Sequence, residues 1–216
     1  MKYGESTFDI VYLLFAIIIG IRILRKRRDA VGRLMGGAVL ALGCEDAFHL
    51  IPRVLNYFVQ GDFGPWLGFG KLVTSVTMTV FYLLLYRLWL RVYRERENRT
   101  LSLVIYALTA VRIALCLLPQ NRWLQNEGSV LWGVIRNIPF VALGCIDVVL
   151  FYRRRTALRP FRHVWLLITL SFLFYIPVAV AASLVPMLGM LMLPKTVCYM
   201  LLVWAFWKYA SGEMQR

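Results

Sequence analysis

Glu45, Asp46, His49 and Arg53 share one apolar stretch. The i, i+3, i+7 spacing of Asp46, His49 and Arg53, with Glu45 and His49 at i, i+4, sets them along one face of a helix. Paired carboxylates split their titrations and histidine titrates near neutrality, so this stripe suits proton coupling or acid/base chemistry. Arg112, Arg136 and Lys195 stand in three other apolar stretches, with Asn137 beside Arg136, and Tyr175 and Tyr199 able to reach the same level. Guanidinium, ammonium, amide and phenol groups together form a set that receives an anionic group. Cations outnumber Glu45 and Asp46 even when Arg53 and Lys71, at the rim, extend to the interface. The plainer reading is a set of interhelical ion pairs that only neutralise one another. The excess of positive charge instead predicts a polar pocket for an anionic or zwitterionic small molecule or a lipid headgroup.

The elements that must position these groups follow from composition. Of 216 residues, 60% are hydrophobic and 17% charged, too little polar surface to cover a soluble globule and the balance expected of a chain solvated by lipid. Seven apolar segments, near 8–24, 34–58, 67–90, 101–118, 130–152, 164–183 and 188–209, are each close to the ~20 residues needed to cross ~30 Å of hydrocarbon. The cations lie between them. Segments 22–33, 87–99 and 153–162 hold six, five and five Lys/Arg, and with Lys208 and Arg216 one side carries 18 of the 25. This unbroken alternation predicts a single all-α domain of seven spans. Its N-terminus is outside, its C-terminus cytoplasmic, and its basic face lies on the anionic lipids of a bacterial cytoplasmic membrane. The first span is retained, because its positive charges follow the apolar stretch instead of preceding it.

The net charge of +14 is spread over those loops, not gathered in a patch interleaved with aromatic residues, which excludes nucleic acid as the natural partner. Cys44, Cys116, Cys145 and Cys198 all fall in apolar runs, so neither a disulfide framework nor a metal site is expected, and no cofactor. The glycine-rich segment 60–70, with Pro65, Phe63, Trp66 and Phe69, reads as an aromatic belt on an outer turn. The glycosylation-type triplet at Asn98 sits in a basic loop and reads as chance.

Counted from the basic ends of their spans, Glu45 and Asp46, Arg112, and Lys195 all lie about 12 or 13 residues in, or about 18–20 Å at helical rise. Asp147 is the exception. It lies in the inner half of the fifth span, where a hydrogen-bonded structural role is expected over a proton relay.

Ile51-Pro52 and Ile176-Pro177, each preceded by an aromatic ring system and followed 18 or 19 residues after the proline by a lysine, Lys71 or Lys195, suggest that spans one to three repeat as five to seven. This three-plus-one-plus-three plan is similar to that of SWEET-type sugar transporters, and seven helices so oriented are also the topology of rhodopsins and G-protein-coupled receptors. The receptor-like Asp-Arg-Tyr and Asn-Pro-x-x-Tyr signatures are absent. The expectation is a transporter or binding protein. The alternatives are a headgroup enzyme using Glu45, Asp46 and His49, and an opsin-like protein with Lys195 as the chromophore lysine and Glu45 or Asp46 as counter-ion.

Overall fold

A computed structural model describes residues 2–58, 63–125, 129–181 and 185–212, without the side chains of 2–5, 45, 49, 50, 53, 54, 56–58, 181 and 186. Among the described residues there are seven α-helices and no strand: α1 (Lys2–Lys26), α2 (Ala30–Phe58), α3 (Gly64–Val92), α4 (Arg99–Leu117), α5 (Val130–Arg153), α6 (Val164–Ala181) and α7 (Met192–Ser211). Six of them, all but α2, are long and apolar enough to cross a membrane. They turn large apolar side chains outward, Leu103, Leu117, Ile138 and Leu173 each more than 60% exposed. An apolar exterior on apolar helices of this length marks an integral membrane protein. α2 is as long as α3, 29 residues, but carries Arg33, Glu45, Asp46 and Arg53 along its length.

Helix ends differ from the expected spans where local chemistry decides. Asn98 caps α4: its side chain accepts from the backbone N–H of Thr100 at 3.0 Å and Leu101 at 3.2 Å. Asp29 likewise accepts from the Gly32 N–H at 2.9 Å at the start of α2. α3 starts at Gly64, so Pro65, Trp66 and Phe69 stand in its first turns and not on a loop. Proline is tolerated there because the first helical N–H groups lack intrahelical acceptors. α7 begins at Met192, after a 3-10 turn over Pro186–Leu191, which places Lys195 in its first turn. The predicted end of the sixth span, Ser183, lies outside the described residues.

Packing runs from neighbour to neighbour around a ring, α1 on α2, α2 on α3, α3 on α5, α5 on α6, α6 on α7 and α7 back on α1. α4 stands outside that ring and packs on α3 and α5. The centre is aromatic: Tyr82 of α3, Phe140 of α5 and Phe172 of α6 lie with ring centroids 5.1–5.2 Å apart. Each such pair contributes about 0.5–1.5 kcal/mol beyond area burial. Gly144 makes this approach feasible, since a Cβ there would meet the Phe172 ring at 2.1 Å.

Candidate functional site

α4 sends Arg112 between α3 and α5 into the ring, where it is the largest fully buried side chain, 1% exposed. One of its terminal nitrogens, Nη2, donates to Asn137 Oδ1 at 3.0 Å, and its guanidinium lies 5.2 Å from the Phe140 ring centroid. Tyr175 of α6 donates to the same oxygen at 3.0 Å. The Asn137 amide is fixed from its other side, where Nδ2 donates to the Gly133 carbonyl at 2.8 Å. Arg112 Nε and Nη1 are buried and have no hydrogen-bond partner among the described residues. A buried N–H without an acceptor loses hydration that nothing replaces, and for a charged group the deficit is larger. The Phe140 ring face supplies only part of it.

A cavity of about 30 Å³ lies beside Arg112, lined by Thr74, Ser75 and Met78 of α3, Phe140, Tyr175 and Lys195. Its volume suits about two waters, the space of one carboxylate group. The Lys195 ammonium lies 5.1 Å from the Tyr175 ring centroid and 5.3 Å from that of Tyr199, a two-sided aromatic cage. Tyr199 is held in turn by the Tyr82 hydroxyl at 3.3 Å, which also meets Ser171 at 3.4 Å. On the other side of Lys195, Asp46 of α2 interacts electrostatically with the ammonium and accepts from the Tyr12 hydroxyl of α1 at 2.7 Å. Arg112, Asn137, Tyr175, Lys195 and Tyr199 therefore meet as anticipated, with Asp46 at the edge.

Other expected members separate. Arg136 turns toward the end of α4, donating to Asn121 Oδ1 at 2.8 Å and lying 4.3 Å from the Trp123 ring centroid. Asn121 and Trp123 close that end: Asn121 Nδ2 donates to the carbonyls of Leu115, Cys116 and Leu118, and Trp123 Nε1 to that of Cys116 at 2.8 Å. These are carbonyls that a helix terminus leaves without intrahelical donors, and a cation there also meets the negative end of the helix dipole. Lys71 is exposed near the start of α3. The side chains of Glu45, His49 and Arg53 lie outside the described residues.

Asp147 overturns its expectation. It is fully buried, yet neither carboxyl oxygen has a hydrogen-bond partner among the described residues. Sequence reasoning gave only its depth; the structure sets it on the buried stripe Gly133, Asn137, Phe140, Gly144, Asp147, Phe151 of α5, and depth does not say what stands opposite.

Residues missed include Tyr12, Thr74, Ser75, Asn121 and Asp9, a buried carboxylate of α1 that the charge count passed over. Thr74 and Ser75, adjacent hydroxyls inside an apolar run three and four residues after Lys71, were the legible signal. Among the described residues no group of three or more His, Cys, Asp or Glu is placed to hold a metal. No protein-family model, no curated protein and no solved structure matches this chain, so its function must be argued from the chemistry of this site.

Proposed function

We propose that the chain is a seven-span transporter or binding protein that holds an anionic or zwitterionic small molecule by its anionic group, at Arg112, Asn137, Tyr175 and Lys195. The observation that carries this reading is the pair of buried nitrogens on Arg112 with no partner among the described residues, on a side chain that lines a cavity of carboxylate size. An anion there supplies the missing acceptors and offsets a desolvated charge. Asp46, anchored by Tyr12 beside Lys195, is the group for an ammonium or a coupling proton.

The seventh span is α2, which packs between α1 and α3, both of membrane length. The orientation, N-terminus outside and C-terminus cytoplasmic, rests on the basic segments at one end of the bundle. A repeat of spans one to three as five to seven is supported by matched neighbours: α1 on α2 corresponds to α5 on α6, α2 on α3 to α6 on α7, and α7 on α1 to α3 on α5. Pro52 and Pro177 take equivalent places inside α2 and α6.

The test is thermal unfolding of the purified protein against a panel of small carboxylates, phosphates and amino acids. One class is expected to stabilise by about 2.7 kcal/mol at a hundred times its Kd. Arg112→Met and Lys195→Ala are expected to abolish that gain. Stabilisation by no anion, or an unchanged gain in both variants, refutes the reading.

A further inference from the structure

At the opposite, basic end of the bundle, α3 stops in a turn that costs stability. The Glu95 N–H donates to the Leu90 carbonyl at 3.0 Å, five residues back, and Arg94 between them takes a φ of 53°. This is the helix-ending motif in which glycine normally fills the left-handed position, because a Cβ is disfavoured there. An arginine in that place calls for a reason beyond stopping the helix.

The reason lies in what Arg94 borders. A groove of about 750 Å³ opens between the start of α2 and the end of α3, with Arg33, Arg91 and Arg94 around it and the apolar Leu34 and Leu90 in its wall. Its two carboxylates are already satisfied. Glu97 is paired with Arg87 at 3.2 Å and accepts from Ser102 at 2.8 Å, and Glu95 is paired with Arg154 of the neighbouring loop. Arg33, Arg91 and Arg94 have no side-chain partner among the described residues, so the groove carries three unbalanced positive charges. It lies where the apolar stretches of α2 and α3 give way to basic loops, the level of lipid phosphates.

We infer that this groove is a binding site for a phospholipid headgroup bearing two phosphates, with its acyl chains leaving along Leu34 and Leu90. Three guanidiniums around a volume of this size match two phosphates better than one. The strained Arg94 turn presents the third charge at the mouth. Only insertion in a bilayer is assumed, so the site stands independently of the outer pocket and of which face is cytoplasmic.

The experiment titrates the full-length protein, in neutral-detergent micelles, with diphosphatidylglycerol, phosphatidylglycerol, phosphatidylcholine and inorganic pyrophosphate, reading thermal stability and bound lipid. Diphosphatidylglycerol is expected to bind at least tenfold more tightly than phosphatidylglycerol, with no saturable shift from phosphatidylcholine. Arg91→Gln with Arg94→Gln is expected to weaken it about thirtyfold, the equivalent of about 1 kcal/mol for each cation at a membrane surface. Arg22→Gln with Arg25→Gln, an equal loss of charge on α1 away from the groove, is expected to change it less than threefold. Arg94→Gly guards against misfolding: it relieves the turn and raises the melting temperature in phosphatidylcholine while weakening diphosphatidylglycerol binding. Equal losses in the α1 and groove variants, full affinity in Arg94→Gly, or pyrophosphate matching the lipid would overturn the proposal.

Discussion

Arg112, buried, and Arg136, half-buried, stand in neighbouring apolar helices near the same level, and the molecule places them differently. Arg136 has its Nη1 on Asn121 and its guanidinium over Trp123, leaves only Nε buried without a partner among the described residues, and thereby seals the end of α4. Arg112 spends one nitrogen on Asn137, and its other two have no acceptor among the described residues, on a side chain that lines a cavity. Charge at depth is therefore no measure of a site. What distinguishes the proposed binding group from a strut is a larger deficit of partners beside a cavity, two nitrogens against one, and that deficit is set by the neighbouring helix.

Four variants can break or sharpen this contrast. The largest effect is expected from Gly68→Val in α3, where a Cβ would meet the Trp123 carbonyl oxygen at 1.5 Å and push away the turn that holds Asn121 and Trp123. A loss of about 3 kcal/mol in thermal or denaturant unfolding is expected. Next, Arg136→Met removes a charge-assisted hydrogen bond and a ring contact, a loss of about 2 kcal/mol, while anion binding measured by thermal shift keeps its midpoint. If Arg136→Met abolishes anion binding and leaves stability intact, the assignment of roles is reversed. Arg112→Met is expected to change unliganded stability by less than about 1 kcal/mol in either direction, because the lost hydrogen bond is offset by removal of a desolvated charge, yet to abolish the anion response.

The smallest effect lies at the basic end. The Arg27 side-chain hydrogen bond, aided by that of the Gly32 N–H, holds the Asp29 carboxyl below the usual carboxylate range. Its folded pKa is thus below its unfolded one. The contribution, under about 1 kcal/mol, is fully present above about pH 4 and fades as pH falls through the lowered folded value. Asp29→Ala is expected to remove that part of the acid dependence and to leave both arginine sites unaffected, in melts run from pH 6 to pH 2.

The level of the charged layer could be read from the chain because helical rise converts residue counts into depth. That is how Arg112, Asn137, Tyr175 and Lys195, from four separate stretches, could be set at one level, where the structure brings them together. Azimuth and partner could not be read. Arg136 depends on the conformation of the turns over Pro119–Asn121 and Trp123–Gln125, where no periodicity exists to guide a reading. Tyr12 resembled an ordinary aromatic of the first span until Asp46 was found opposite it. Asp147 shows the same gap: its depth was read, and its expected hydrogen bond is missing among the described residues. Helix ends were legible to a few residues, and the error at α7 came from Pro186, whose 3-10 turn delays the helix.

The position of Arg112 has an electrical consequence. In the proposed orientation its guanidinium lies about two-fifths of the way into a ~30 Å hydrocarbon layer from the outer side. A monovalent anion that reaches it from outside crosses that share of the membrane potential, about 0.9 kcal/mol for every 100 mV. Occupancy of the pocket then reports the energised state of the membrane: the same external concentration fills it about fivefold less well for each 100 mV of interior-negative potential, and collapse of the potential alone loads it.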